Sequence, residues 1–228
     1  MRIFALADLH LSKAQPKPMN VFGGNWEGHP EIIFERWRET VADNDLVLIP
    51  GDISWAMNLA EASHDLQDIA ELPGKKVLLR GNHDYWWSAI GKLRQSLPEG
   101  MYALQNDAVR FGDLVIAGAR GWNCPGSYDF GEQDMKIYMR EVSRLQLSLE
   151  AAQKLEPKKL IVMMHFPPTN PKLEPSGFTE LLLKAKPDIL VFGHVHGETK
   201  AMPVPDLGNT KVHFVAADAL EFYPKQIC

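Results

Sequence analysis

The feature that most constrains the fold is a series of short apolar runs, each of a length suited to a buried β-strand. Seven such runs occur along the chain, at 3–7, 46–49, 77–79, 114–117, 160–164, 189–192 and 212–216. Runs that are apolar at every position are typical of strands covered on both faces. Segments with apolar residues at helical spacing lie between most of the runs, and this alternation of strands and helices predicts an α/β fold.

Three segments carry the helical spacing. Two of them fall at 32–41 and 59–70, and the third is a longer stretch at 132–155. The longer stretch has an apolar stripe, which predicts its buried face: Met135, Met139, Val142, Leu145 and Leu149. The stretch 101–117 has little helical character, and we predict a hairpin there in which residues 102–104 pair with residues 108–111. This hairpin favours a mixed sheet or two packed sheets.

The composition is that of an ordinary globular domain. The 228 residues are 45% hydrophobic and 23% charged, which excludes disorder of the whole chain. No linker-like segment divides the sequence, so we expect a single domain over residues 1–228. The net charge of −5 provides no overall basic field, and the sequence therefore carries no strong signal for a nucleic-acid partner.

The cysteines and the N-terminus bear on the compartment. Cys124 and Cys228 are the two cysteines and form no C-x-x-C pair, so a cysteine-rich zinc site is excluded and a reducing environment fits best. The N-terminal apolar run is broken by Asp8 and His10, which makes it too short for a signal peptide. No apolar stretch approaches the length of a membrane span. We expect a cytoplasmic protein, and the sequence leaves its oligomeric state open.

Metal-competent side chains follow five of the seven runs. The motifs are D-L-H at 8–10, P-G-D at 50–52, R-G-N-H-D at 80–84, a histidine at 165 and G-H-V-H at 193–196. Most of these motifs alone are better explained as a turn or a buried histidine, whereas the H-x-H at 194–196 is moderately specific, since two imidazoles two residues apart on an extended chain share a face. Together they place five of the eight histidines at strand ends, and in α/β sheets the carboxyl ends of the strands form the ligand-binding edge.

In this combination the chain resembles the calcineurin-like metallophosphoesterases. The resemblance covers the motifs in order from residue 8 to residue 196, which is nearly the whole chain. It implies two packed mixed β-sheets flanked by helices, in four layers, with a dinuclear metal centre at the strand ends. It also implies a hydrolase whose substrate is a phosphate ester.

The resemblance implies a ligand set for each of the two metal ions. The first ion would take Asp8, His10, Asp52 and His196. The second ion would take Asp52, Asn82, His165 and His194, so that Asp52 bridges the two. Imidazole ligands suit divalent transition metals, and we expect manganese, with iron or zinc as alternatives. A water bridging the ions would lose its proton near neutral pH and attack the phosphorus as hydroxide.

Three further residues take catalytic roles by the same resemblance. His83 would not bind a metal ion and would act on the phosphate, as a general acid or as an electrostatic stabiliser. Asp84 would orient His83 through a hydrogen bond, and Arg80 would reach the phosphate. The second motif departs from the frequent G-D-x-x-D pattern of the family, because Trp55 stands where the second carboxylate would be. We therefore assign no subfamily.

Two loops rich in aromatic residues are candidates for the substrate wall. Trp26 lies in the loop at 20–30 and Trp122 in the loop at 120–128. Such side chains either line a substrate pocket or pack the loops down, and the sequence leaves both open. We predict that at least one of these loops contacts the substrate.

The predicted function is metal-dependent hydrolysis of a phosphomonoester or a phosphodiester. The phosphatase and phosphodiesterase readings both remain open at this point, as do a nuclease and a protein phosphatase. The alternative from another class is a non-catalytic, metal-binding scaffold of the same fold. Loss of ligands or of the catalytic histidine would indicate a scaffold, but all the matched ligands and His83 are present.

Overall fold

The computed structural model describes residues 1–197 and 202–228, and these residues form two five-stranded β-sheets. The strands of the first sheet are β1 (Ile3–Ala5), β2 (Leu46–Pro50), β3 (Lys75–Leu79), β4 (Met101–Leu104) and β10 (Lys225–Gln226). The strands of the second sheet are β5 (Ala108–Phe111), β6 (Leu114–Ala119), β7 (Lys159–Met164), β8 (Ile189–Phe192) and β9 (Lys211–Phe214). The strand orders are β10-β1-β2-β3-β4 and β5-β6-β7-β8-β9.

Both sheets are mixed, as predicted. In the first sheet β1 to β4 run parallel and β10 pairs antiparallel with β1. In the second sheet β6 to β9 run parallel and β5 pairs antiparallel with β6. The parallel strands bring their carboxyl ends to one edge of each sheet, and that edge carries the metal-competent motifs.

Helices cover the outer face of each sheet. The helices α1 (His29–Thr40), α2 (Leu59–Ala70) and α3 (Ile90–Ser96) pack on the first sheet, and α4 (Glu132–Gln153) and α5 (Gly177–Ala185) pack on the second. Two short 3-10 helices, Asn20–Phe22 and Gly24–Trp26, precede α1. The helices α1, α2 and α4 match the three segments predicted from helical spacing.

Three apolar clusters define the layers. One cluster joins the first sheet to its helices through residues such as Val47 and Ile33, and another joins the second sheet to its helices through Val162 and Leu145. The third cluster lies between the sheets, where residues such as Leu48 of β2 are buried together with the apolar face of the second sheet. Each central strand is therefore apolar on both faces, which is why it appears as an unbroken apolar run. The four-layer α/β/β/α sandwich is confirmed.

Two local predictions are wrong. Residues 102–104 and 108–111 do not form a hairpin with each other, because β4 is the edge of one sheet and β5 the edge of the other. The hairpin forms one strand later, where Phe111 pairs with Leu114 across a tight turn. In α4, Met135 and Met139 of the predicted stripe are exposed, whereas Tyr138 and Glu141 are buried. Leu145 and Leu149 of the stripe are buried as predicted, and the buried carboxylate of Glu141 forms ion pairs with Arg120 and Arg144.

None of the helices in the described residues is long and apolar enough to span a membrane.

Candidate metal centre

The two sheets meet at the carboxyl ends of their strands. Ala7, just after β1, forms a parallel bridge with Ala216, just after β9. The bridge brings the loops that follow β1, β2 and β3 beside those that follow β7 and β8. These are the loops in which the predicted ligands lie, so the structure collects ligands from both sheets into one site.

The backbone of the site is unusual at the ligands themselves. Four of the predicted ligands have positive φ, which L-residues seldom adopt and which costs of the order of 1 kcal/mol each: Asp8 (63°), His10 (47°), Asp52 (52°) and His194 (75°). Two glycines allow the loops to approach, since a Cβ on Gly81 would overlap the Asp52 carboxylate and one on Gly193 would overlap that of Asp8. The surrounding fold therefore holds strained loops in place, a pattern that is common at functional sites.

Asp8, His10 and His196 form the first group of possible ligands. One nitrogen or oxygen from each lies within 4.8 Å of the others. The Nε2 atoms of His10 and His196 are 3.2 Å apart, and His196 Nε2 is 3.9 Å from Asp8 Oδ1. Asp8 and His10 are buried and His196 is half-buried.

Asp52, His165 and His194 form the second group, again with ligand atoms within 4.8 Å of one another. Asn82 joins this group, because its Oδ1 is 2.7 Å from His165 Nε2. Asp52 Oδ2 lies 3.4 Å from His165 Nε2 and 3.8 Å from His10 Nε2, so it faces both groups. The structure thus brings all seven predicted ligands together, with Asp52 in the position of a bridge.

The unpaired atoms and the pKa values of this cluster fit bound cations. Asp8 Oδ1 is buried without a hydrogen-bond donor among the described residues, while Oδ2 accepts from the backbone N–H of His194 at 2.9 Å. Burial raises the pKa of Asp8 to about 7. Burial lowers the pKa of His165, but Asp52 and Asp8 outweigh it and raise the value to about 9. The carboxylates thus draw positive charge into the site, and metal ions can supply that charge in place of protons.

Two of the other histidines, His10 and His194, are held in the neutral form that binds metals. Burial and the neighbouring His165 lower the pKa of His194 to about 3. Burial likewise lowers the pKa of His10 well below its ordinary value. A neutral imidazole keeps a lone pair for a metal ion, so these two side chains suit the role of ligand.

Outer contacts fix the orientation of two ligand rings. His165 Nδ1 lies 3.0 Å from the carbonyl oxygen of Pro50, which leaves Nε2 to face the site. His196 Nδ1 lies 3.2 Å from Asp218 Oδ1, and Asp218 also accepts a hydrogen bond from the Gly197 backbone. Such carboxylate–histidine pairs are the usual support for metal ligands. Asp218 was not among the residues predicted from the sequence, although it follows the last long apolar run as the other site residues follow theirs.

The predicted hydrogen bond between Asp84 and His83 is wrong. His83 Nδ1 has no hydrogen-bond partner in the described part of the chain. The Asp84 carboxylate accepts instead from the backbone N–H groups of Ile53, Ser54 and Gly81 and from the Trp86 indole. Three of these donors reach Oδ1 and one reaches Oδ2, and the His83 ring is not among them. Asp84 therefore ties the Asp52 loop to the loop at 80–84, and acts on His83 only through the backbone.

His83 itself faces the cluster. Its Nε2 is 4.0 Å from Asp52 Oδ2, its backbone N–H donates to Asp52 Oδ1 at 2.8 Å, and its side chain is 35% exposed. It lines a cavity of about 310 Å³ together with His10, Asp52, His194 and His196. The ring is thus beside the ligands and open to a substrate.

Trp55 forms one wall of this cavity, a role that its position in the sequence did not predict. Its ring stacks on His10 at a centroid distance of 5.0 Å and lies 4.3 Å from the ring of His83. Lys17 Nζ lies 3.5 Å from the centre of the Trp55 ring, which places a cation near the site. Phe22 lines the same cavity and is half exposed. The departure from the family pattern thus puts an aromatic surface beside His83.

The two predicted substrate tryptophans differ. Trp26 is only 1% exposed and packs edge-on against His10 and His196, so it supports ligands from behind and offers no surface to a substrate. Trp122 is partly buried and lines an apolar cavity of about 410 Å³. Phe166 and His194 line the same cavity, and their rings are 3.8 Å apart. Of the two loops, only that of Trp122 presents its tryptophan to an open space beside a possible metal ligand.

Arg80 is not brought to the cavity of His83. It lines a separate cavity with Arg120 and Arg144, on the side of β3 that faces β4 and β6. A contact between Arg80 and the phosphate at the metal ligands therefore has no support in this conformation.

The family model of the calcineurin-like phosphoesterases matches residues 1–198 of this chain. The chain belongs to that family, as the motifs predicted, and membership supports phosphoester hydrolysis in general. The metal-competent groups described above lie within the matched residues.

Relatives of this chain include phage and archaeal proteins. The Gene 66 protein of Mycobacterium phage D29 is 27% identical over 196 residues, which is 85% of this chain and 78% of the phage protein. The uncharacterized protein MJ1445 of Methanocaldococcus jannaschii is 31% identical over 84 residues, which is 36% of this chain and less than half (47%) of that protein. Among solved structures, the phosphopantetheinyl hydrolase PptH of Mycobacterium tuberculosis has a TM-score of 0.57 at 12% identity, covering 94% of this chain and 88% of its own. At that identity the likeness shows the shared fold alone.

Proposed function

We propose that this chain is a two-metal-dependent phosphohydrolase that cleaves a phosphomonoester or a phosphodiester. The observation that carries the proposal is the pair of ligand groups that share Asp52, with His83 beside them. A scaffold would have no need of a half-exposed histidine at the mouth of such a cluster. The metals are proposed to be divalent transition ions, with manganese as the first choice, because four of the seven ligands are imidazoles.

The ions, when bound, would lower the pKa of a water molecule and neutralise charge on the phosphoryl oxygens. The remaining chemistry falls to the side chains. His83 is directed at the same cavity as the ligands, and a protonated Nε2 there would give its proton to the departing oxygen of the ester. The backbone N–H of His83 donates to Asp52 Oδ1, so the proton donor and the bridging carboxylate keep a fixed relation.

The surroundings favour a small or apolar alcohol group on the ester. Trp55 and Phe22 border the cavity of His83, and the apolar cavity of Trp122 and Phe166 adjoins it at His194. Lys17, held over the ring of Trp55, would attract the phosphate. These features do not choose between a monoester and a diester, and the choice is left to experiment.

The first test is the metal dependence of hydrolysis. We expect the Mn²⁺-loaded protein to hydrolyse p-nitrophenyl phosphate or bis-p-nitrophenyl phosphate, and a chelator to remove the activity. Restoring Mn²⁺ should restore the activity, because we expect the fold to remain intact when the metal ions are removed. Turnover would be followed by the absorbance of p-nitrophenolate, with elemental analysis of the same samples. Absence of turnover with Mn²⁺, Fe²⁺ and Zn²⁺ would favour the non-catalytic scaffold.

A second prediction concerns Trp122. Trp122→Ala should raise KM for bis-p-nitrophenyl phosphate about tenfold, because the additional ring of the diester loses an apolar contact. The change for p-nitrophenyl phosphate should be smaller, and Trp122→Phe, which keeps an aromatic surface, serves as the matched control. Equal changes in KM for both esters would mean that Trp122 only packs its loop.

A further inference from the structure

A second polar cavity lies away from the metal-competent cluster and contains three arginines. Its volume is about 270 Å³, and Arg80, Arg120 and Arg144 line it together with Glu141 and Ser88. We call it the arginine pocket. It opens beyond the carboxyl ends of β3, β4 and β6, which is the position where α/β sheets bind ligands.

The arginine pocket has an excess of positive charge. Arg120 Nη2 and Arg144 Nη1 both donate to Glu141 Oε1, at 3.0 Å and 2.6 Å. Glu141 is 1% exposed and neutralises one of the three guanidinium charges. No other lining residue is charged, so three positive and one negative charge leave a formal +2. Burial lowers the pKa of the Arg120 guanidinium, and the nearby positive charges of Arg80 and Arg144 lower it further.

Several donors in this pocket have no acceptor. Arg80 Nε, Arg120 Nε and Ser88 Oγ are buried and lack hydrogen-bond partners among the described residues. A buried donor without an acceptor costs roughly 1–3 kcal/mol, so native proteins rarely leave three of them around one cavity. Glu141 Oε2 also lacks a hydrogen-bond partner among the described residues. It is itself an acceptor, so it would not pair with a bound anion. The donors call for an acceptor with several oxygens and negative charge.

The arginine pocket is separate from the metal-competent cluster, but one of its residues contacts the backbone of a predicted ligand. None of the seven predicted metal ligands lines it. The Arg120 carbonyl oxygen, however, accepts from the backbone N–H of His165 at 3.0 Å, and Arg80 lies two residues before Asn82. An anion bound there would therefore sit behind the second group of ligands, at a position distinct from that of the scissile phosphate.

We propose that the arginine pocket binds an oxyanion of phosphate size and charge. The formal +2 charge balances a phosphate dianion, and guanidinium groups match the geometry of its oxygens. The anion is either free phosphate, which hydrolysis releases, or a second phosphate group of the substrate. Binding in this pocket does not require that the chain be a hydrolase.

The test measures binding of inorganic sulfate, which has the shape and charge of the phosphate dianion and is not a substrate. Isothermal titration calorimetry on the full chain should detect one site in the wild-type protein. Arg144→Gln should weaken that site about tenfold or more, because one charge-assisted contact is lost. Arg140→Gln is the matched control, since Arg140 is an exposed arginine of the same helix, one turn away, and does not line the pocket.

Two further variants keep the test decisive. Arg80→Gln should weaken sulfate binding even if Arg144→Gln proves unstable. Asp52→Asn disables the metal-competent cluster and should leave sulfate binding unchanged. Sulfate affinity that is unaffected by both arginine substitutions, or that disappears in Asp52→Asn, would overturn the proposal.

The source of the anion follows from inhibition of the wild-type protein. Sulfate that competes with fructose 1,6-bisphosphate, but not with p-nitrophenyl phosphate, would identify a second phosphate group of the substrate. Sulfate that competes with neither ester, but that inorganic phosphate displaces in the calorimetry, would identify free phosphate. Both patterns are consistent with anion binding in the arginine pocket, because the calorimetry alone tests whether the anion binds there.

Discussion

Asp52→Asn is expected to lower kcat/KM by at least about 10³-fold. Asp52 Oδ2 lies 3.8 Å from His10 Nε2 and 3.4 Å from His165 Nε2, so it faces both ligand groups. An amide has the same shape but no charge, and it cannot offset the repulsion of two divalent ions. Its oxygen can still accept the hydrogen bond from the His83 backbone, so the fold should be preserved.

The measurement combines kinetics with metal analysis. Hydrolysis of p-nitrophenyl phosphate and metal content per chain should fall together in Asp52→Asn, whereas circular dichroism should match the wild-type protein. Asp113→Asn is the control, because Asp113 is an exposed aspartate whose ion pair with Lys158 lies on the surface. Retention of activity within about tenfold, with two metals bound, would contradict the bridging position of Asp52.

His83→Asn should produce the second large loss, and the size of the loss should depend on the leaving group. A general acid contributes about 10²–10⁴-fold. An alkyl phosphate needs its departing oxygen protonated, so its kcat should fall within that range. p-Nitrophenolate leaves readily without a proton, and its kcat should fall far less. The half-buried position of His83, beside but outside the ligand groups, predicts that metal content stays unchanged.

The comparison across leaving groups distinguishes the two roles open to His83. Equal losses for the alkyl and aryl esters would indicate electrostatic stabilisation of the phosphate in place of proton transfer. His64→Asn provides the control, since His64 is an exposed residue of α2. Full activity of His83→Asn on both esters would remove His83 from the mechanism.

The sequence predicted the scaffold and the gathering of the ligands well, for a physical reason. Strands buried on both faces must be apolar throughout, so Asp8, Asp52 and His165 stand out where those strands end. Parallel strands then bring their carboxyl ends to a common edge. The family model confirms the family, and the two sheets confirm the fold. The metal-binding roles stay predictions, supported by the distances among the side chains.

The sequence predicted the details of the loops less well, because tertiary contacts set them. Nothing in the spacing shows that Asp84 is occupied by four donors or that Arg80 lies in a different cavity from His83. Trp26 and Trp122 occur in similar loops, yet one is buried and one is not. The burial of Glu141 in α4 could not be predicted from spacing, because it depends on the ion pairs that Arg120 and Arg144 form with its carboxylate.

The bridge between Ala7 and Ala216 has a consequence for how the protein folds. The first sheet takes nearly all its strands from the first half of the chain, and the second sheet takes its strands from the remainder. The facing nitrogens of His10 and His196, however, belong to residues 186 positions apart in the sequence. Contacts of such sequence separation are closed slowly, because the intervening loop must first lose its entropy. Each half of the chain can therefore acquire local structure before either ligand group is complete. Each ligand group takes residues from both sheets, so binding of the proposed metal ions would follow the docking of the sheets and would report on it.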